Sequence, residues 1–195
     1  MPISELFSLL IVSYFIGAIP FSVIISRSKG IDLRKVGSGN YGSTNVYRAM
    51  GFWPAFLVFF LDTTKGFVPV TIALNLQGHS TILPLIVGLI AIIAHLYSVF
   101  VGFKGGRGVA TSVGVLMALS PDVCILTIII GVGIILNTRM VSLSSLASSV
   151  LVPILLFLFS YPIEYVLLFG MISLIIILKH RTNIKRLIQG KENRV

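Results

Sequence analysis

The stretch GVATSVGVLMALSPDVCILTIIIGVGIILNT, residues 108–138, carries a single charge, Asp122, directly after Pro121. A helix needs about 20 apolar residues to cross the hydrocarbon of a bilayer. The stretch is long for one crossing and short for two, and the choice decides the fold. Outward from it lie plainer spans. Met140 to Ser160 is one, broken by Tyr161-Pro162, and about Ile163 to Leu178 is the last. On the other side stand Thr81 to about Val101, Ala49 to about Leu74, and Leu6 to Ser26, in which Pro20 predicts a kink. A polar turn, Asn75 to Ser80 with Gln77 and His79, separates the second span from the third.

Loop charge decides between six spans and seven, because Lys and Arg collect on the cytoplasmic side. Two short spans in the deciding stretch bring every Lys and Arg except Lys65 to one face. These are Arg27, Lys29, Arg34, Lys35 and Arg48, then Lys104 and Arg107, then Arg139, then the basic tail from Lys179 to Arg194. The opposite face holds Glu5, Asp122 and Glu164 and no base. A single span there would send Arg139 and the tail outside. The expectation is an all-α polytopic membrane protein of about seven transmembrane helices, N-terminus out and C-terminus in, forming one domain over residues 1–195. Its fourth and fifth spans are short, and so are tilted, shielded by neighbours or partly re-entrant.

Composition agrees. Of 195 residues, 56% are hydrophobic and 11% charged, against about 25% charged in soluble domains, and the mean hydropathy is +1.03. A net charge of +9 would suggest nucleic acid in a soluble chain. Here the bases sit in short segments between apolar runs, so no nucleic-acid partner is expected. The first run reads as a span rather than a cleaved leader, since Glu5 precedes it without a base and Pro20-Phe21-Ser22 is not a small-residue cleavage site. Cys124 is alone, which argues against disulfides and thiol–metal clusters and for a buried, inert thiol.

The inside segments carry the chemistry. The first runs Gly37-Ser38-Gly39-Asn40-Tyr41-Gly42-Ser43-Thr44-Asn45, then Arg48. Its glycines permit positive φ, and Arg48 offers a planar fork suited to phosphate. It reads equally as a flexible polar loop with a helix cap near Thr44. The second is Phe103-Lys104-Gly105-Gly106-Arg107-Gly108 before a helix start, which favours an anion site over a plain glycine turn. The Gly-x4-Gly-Lys-Ser/Thr nucleotide loop is absent. In the third, Ser145, Ser148 and Ser149 suit helix packing, while Ser142, nearest the water, caps a helix or holds a ligand. In the tail, His180 and Asn183 share a face if the helix continues. Lys185 and Arg186 suit anionic lipid. Asp62 and Lys65 are expected to pair, because a charge at bilayer depth costs about 2.5–3.5 kcal/mol. His95 reads as a hydrogen-bonded structural histidine.

In this order the segments resemble the bacterial acyl-phosphate:glycerol-3-phosphate acyltransferases, the PlsY family. Its Gly-Ser-Gly-Asn-x-Gly-Ala-Thr-Asn-x-x-Arg matches Gly37 to Arg48, and its Phe-Lys-Gly-Gly-Lys-Gly-Val-Ala-Thr matches Phe103 to Thr111. Ser142-Leu143, the His-x-x-Asn-Ile-x-Arg-Leu from His180 to Leu187, and the Asp-x-x-Lys-Gly from Asp62 to Gly66 match as well. Ser43, Arg107, Ala94 and Ser98 depart from the family's alanine, lysine, glycine and proline. The resemblance implies acyl transfer from acyl phosphate to the 1-hydroxyl of glycerol 3-phosphate, giving lysophosphatidic acid, at the cytoplasmic face of the bacterial inner membrane. It implies Ser38, Arg48, Lys104, Ser142, His180 and Asn183 as catalytic. Gly37, Gly39, Asn40, Thr44 and Asn45, with Gly105, Gly106, Arg107 and Gly108, are implied as substrate-binding. Membrane lipid is the expected surrounding, and a monomer without metal or cofactor is expected. The inside acids Asp32 and Glu192 fall outside the motif positions, so neither is expected in the pocket. His180, among cations, is expected to orient substrate as a neutral donor. The competing class is a small anion transporter or channel, which needs polar groups near midplane and on both faces.

Overall fold

The computed structural model describes residues 3–76 and 82–195. Gln77 and His79 of the polar turn after the second expected span, and Thr81, lie outside the described residues. All regular elements among the described residues are helical. The chain forms two compact units, Met1–Leu119 and Ser120–Val195.

In the first unit, α1 (Ile3–Ala18) and α2 (Phe21–Arg27) meet at Ile19-Pro20. Pro20 has no N–H with which to continue the ladder. Two carbonyls beside the break take side-chain donors instead: Ser98 Oγ donates to Ala18 O at 2.5 Å, and Lys65 Nζ to Ile19 O at 2.9 Å. Backbone freed at membrane depth must be satisfied in this way. The short α3 (Ser43–Met50) follows the Gly-Ser-Gly-Asn loop. Its Val46 packs with Leu33, Ala55 and Val58. Three further helices complete the unit: α4 (Phe52–Leu76), α5 (Ile82–Leu96) and α6 (Val109–Leu119).

Small residues set how closely these helices approach. A Cβ on Gly66 of α4 would strike the Thr111 carbonyl of α6, and one on Gly114 of α6 would strike the Thr63 carbonyl of α4. A Cβ on Gly17 of α1 would lie 2.6 Å from Ala91 O on α5.

The second unit comprises α7 (Pro121–Thr138), α8 (Val141–Leu158), α9 (Ile163–Lys179) and α10 (Arg181–Ile188). Ser144 Oγ of α8 donates to Gly131 O of α7 at 2.8 Å. Tyr161, in the α8–α9 turn, donates to Asp122 Oδ1 at 2.5 Å. Burial first, then that hydrogen bond and the carboxylate's charge, push the Tyr161 phenol up to about 12.

The stretch 108–138 is thus two helices, parted at Ser120 with Pro121 opening the second. Among the described residues, five spans are long and apolar enough to cross a bilayer: Ser4–Arg27, Phe52–Leu76, Ile82–Val101, Pro121–Thr138 and Val141–Leu158. Ile163–Lys179 qualifies only together with α10, from which it bends by 65°. The 11 residues of α6 rise about 16 Å, roughly half the hydrocarbon thickness. Polarity is arranged for lipid. Phe56, Phe60, Leu174 and Leu178 expose half or more of their surface, while Asp62 and Lys65 are buried at 2% and 3% exposure.

Candidate active site

In the first unit, Asn45 organises the Gly-Ser-Gly-Asn loop. It is 1% exposed, and its Oδ1 accepts from the Ser38 N–H at 2.8 Å and Ser38 Oγ at 3.3 Å. Its Nδ2 donates to Leu33 O at 3.1 Å. Gly37, at φ +57°, lies so close that a Cβ there would strike Asn45 Oδ1 and meet Arg48 Cδ at 3.4 Å. The Asn45 amide therefore holds the loop together. The helix cap expected near Thr44 falls at Gly42, which lends no side-chain bond. Thr44 and Arg48 stand one turn apart on α3, while Gly39 takes φ +69° and Asn40 is half-buried. Asp32 is committed locally: hydrogen bonds from the Arg34 side chain and N–H, then its charge, pull the carboxyl down to about 2.

The glycine pair of the second loop lies on the end of α5. A Cβ on Gly105 would strike the His95 carbonyl, and one on Gly106 would strike His95 Nε2. The pair is required by this close approach, a cause that spacing alone does not reveal. Lys104 is exposed, Arg107 half-buried and Gly108 at φ +88°.

Beneath the loop, Lys65 Nζ and Asp62 Oδ1 pair at 2.7 Å, and His95 Nδ1 stands 3.8 Å from the same oxygen. A cavity of about 10 Å³ is bounded by Tyr41, Asp62, Lys65, His95, Gly105 and Gly106, room for about one water. The expected ion pair exists, and it borders the glycine loop.

In the second unit, Ser142 opens α8, while His180 sits at the bend between α9 and α10. The helix does not run straight through His180. Hydrogen bonds from its backbone N–H to the Ile176 and Ile177 carbonyls end α9, and the Ile184 N–H returns to the His180 carbonyl to start α10. His180 and Asn183 are both buried, at 3% and 2% exposure. His180 Nδ1 lies 2.8 Å from Ile176 O. A carbonyl only accepts, so Nδ1 carries the proton. Neutral His180 therefore presents an acceptor at Nε2, not the expected donor.

Sequence reasoning set Glu192 aside, and here the structure differs. Ser142 Oγ donates to Glu192 Oε1 at 2.9 Å, Asn183 Nδ2 to the same oxygen at 2.6 Å, and Arg186 Nε to Oε2 at 2.9 Å. Burial raises its pKa, but these three hydrogen bonds and the Arg186 charge outweigh it and hold the carboxyl below its ordinary value. No group of three or more His, Cys, Asp or Glu able to hold a metal occurs among the described residues.

The fold is that of a multi-pass helical membrane protein, with Arg48 and Asn45 on the short α3, Asn183 and Arg186 on the short α10, Ser142 in the first turn of α8, and Ser38, Lys104 and Arg107 in loops. Residues 7–190 match the model of the family described as glycerol-3-phosphate acyltransferase, and the chain belongs to that family. A glycerol-3-phosphate acyltransferase of Aquifex aeolicus is 44% identical over 95% of this chain and 97% of its own. One from Thermus thermophilus is 42% identical over 95% and 93%. The fold is similar to the crystal structure of PlsY (YgiH), an integral membrane glycerol 3-phosphate acyltransferase, in its glycerol 3-phosphate form. That match has a TM-score of 0.94 and 43% identity, over 98% of this chain and 96% of the other. The lysophosphatidic acid form gives a TM-score of 0.91, 42% identity, and 97% and 95% coverage.

Proposed function

We infer that this chain is a glycerol-3-phosphate acyltransferase that draws its acyl group from acyl phosphate. The 1-hydroxyl oxygen attacks the acyl carbonyl, the carbon–oxygen bond to phosphate breaks, and lysophosphatidic acid and inorganic phosphate leave. The observation that carries this reading is the end-to-end likeness to an integral membrane acyltransferase captured in glycerol 3-phosphate and lysophosphatidic acid forms.

Arg48, Lys104, Ser38, Ser142, His180 and Asn183 are the catalytic residues of this reading. Arg48 and Lys104 neutralise phosphate. Ser142, His180 and Asn183 contact phosphate and glycerol. Gly37, Gly39, Asn40, Thr44 and Asn45 shape the polar pocket, Asn45 by holding its loop. Gly105, Gly106, Arg107 and Gly108 take the acyl-phosphate group, with backbone N–H groups aimed at the developing oxyanion. The proton leaving the hydroxyl goes to the substrate itself, because a phosphate monoester has a second pKa of about 6 and is mostly dianionic at pH 7.

The topology that suits this chemistry has seven spans, the N-terminus out, and the inside segments at the cytoplasmic face of the bacterial inner membrane. The two units act as one acyltransferase domain, in a monomer surrounded by lipid. The donor is tested with purified protein offered acyl phosphate or acyl-CoA. Acyltransferases that use acyl-CoA commonly carry a His-x4-Asp base, whereas the residues five beyond the three histidines here are Pro84, Phe100 and Lys185. Turnover is expected with acyl phosphate and little or none with acyl-CoA; comparable rates with both would refute the assignment.

A further inference from the structure

The tail after α10 is built to deliver one carboxylate. Gly190 turns the chain at φ +65°, with the Gly190 N–H on Leu187 O at 3.0 Å and the Lys191 N–H on Arg186 O at 2.8 Å. Three residues past Glu192, the Val195 N–H donates to Arg139 O at 2.8 Å, in the turn that precedes Ser142. Between these anchors the Glu192 side chain is 1% exposed. A buried carboxylate is costly unless donors surround it, and here Ser142, Asn183 and Arg186 do so.

What Glu192 takes from each donor decides what remains. Its hold on Asn183 Nδ2 fixes which way the amide faces and leaves Asn183 Oδ1 buried, with no hydrogen-bond donor among the described residues. Its hold on Arg186 Nε fixes the guanidinium plane and leaves Nη2 buried without an acceptor among them. The first needs a hydroxyl and the second an anionic oxygen, and a polyol phosphate supplies both. The paired Arg186 also offsets the carboxylate charge, so an anion approaching Ser142 does not meet a bare like charge.

We propose that Glu192 is a positioning residue for glycerol 3-phosphate: it orients Ser142, Asn183 and Arg186 for the acceptor substrate without touching it. This rests on the reading of Ser142 and Asn183 as substrate contacts. It sets a bonded tail against one that blocks the site as a substitute anion.

The test is steady-state kinetics of the full-length protein in lipid vesicles, varying each substrate in turn. Glu192→Ala should lower kcat/KM for glycerol 3-phosphate on the order of 10–100-fold, the scale of a lost charge-assisted hydrogen bond. The KM for acyl phosphate should stay within about twofold. Glu192→Gln, whose amide oxygen still accepts from Ser142 and Asn183, should recover part of the loss. Melting of each variant without substrate serves as the fold control. Equal losses for both substrates, with a matching fall in melting temperature and no rescue by Gln, would make the tail a structural strap only. A rise in activity on removing residues 191–195 would make Glu192 a blocking anion, and either result overturns the proposal. An inactive parent protein would instead contradict the acyltransferase reading.

Discussion

Charge placement at single residues separates a site from a general field. Arg48→Ala and Lys104→Ala should each cost about 2–4 kcal/mol in kcat/KM, as loss of a charge-assisted phosphate contact implies. Lys35→Ala, in the same basic face, should do little, and equal losses at all three positions would show that only bulk electrostatics is being measured. His180→Gln addresses the proton. If the phosphate of glycerol 3-phosphate takes it, the acidic limb of rate against pH stays near the substrate's own second pKa while the rate drops modestly. Loss of that limb would make His180 the base, a role its Nε2 acceptor geometry permits. Much of this cast was legible, because Arg48, Lys104, Ser142, His180 and Asn183 fall in motifs. Glu192 was not. Its bond to Ser142 spans fifty positions of sequence and depends on a turn at Gly190 and a backbone anchor at Arg139, neither of which leaves a local pattern. Asn45 was legible as a polar residue but not as the clasp of its own loop, since its partners are a backbone N–H and a carbonyl.

Among the helices, backbone contact is the exacting feature. Gly66→Ala and Gly114→Ala each push a methyl into a carbonyl of the partner helix, where a methyl has no flexible neighbour to displace. Each should destabilise the first unit by about 1–3 kcal/mol, the usual cost of overpacking. Gly133→Ala, with nothing within 4 Å of the added atom, should be nearly neutral. Thermal melting in detergent compares the three, and equal shifts would mean that helix propensity rather than contact decides. Helix ends were readable where proline or charge punctuates them, as at Pro20, Pro121 and Tyr161-Pro162. At His180 the charges of Lys179 and Arg181 mark the end of the apolar run but not the 65° bend into α10, and which helices share a glycine contact is a property of pairing that one helix's sequence cannot hold. Ser98, where the resembling family has proline, has a local account here: its hydroxyl satisfies Ala18 O at the Pro20 break.

For the molecule as a whole, the asymmetry of charge implies a topology. The native Cys124 is fully buried and should stay silent to impermeant thiol reagents. Cysteines replacing Lys35 and Lys191 should label only from the cytoplasm, and those replacing Asp122 and Glu164 only from outside. Labelling of Lys35 and Lys191 positions from opposite faces would restore the six-span alternative, in which α6 and α7 cross once between them. The helical membrane class was legible from composition, and the long apolar helices from runs of uncharged residues. The half-length of α6 was not, because 31 residues with one internal proline fit several divisions. The most direct measurement follows radiolabelled glycerol 3-phosphate through purified protein in sealed vesicles supplied with acyl phosphate. The label should pass into organic-extractable lysophosphatidic acid, with one inorganic phosphate released per acyl group transferred. Label that crosses into the vesicle lumen and remains water-soluble, with acyl phosphate unconsumed, would contradict the acyltransferase reading and leave an anion transporter.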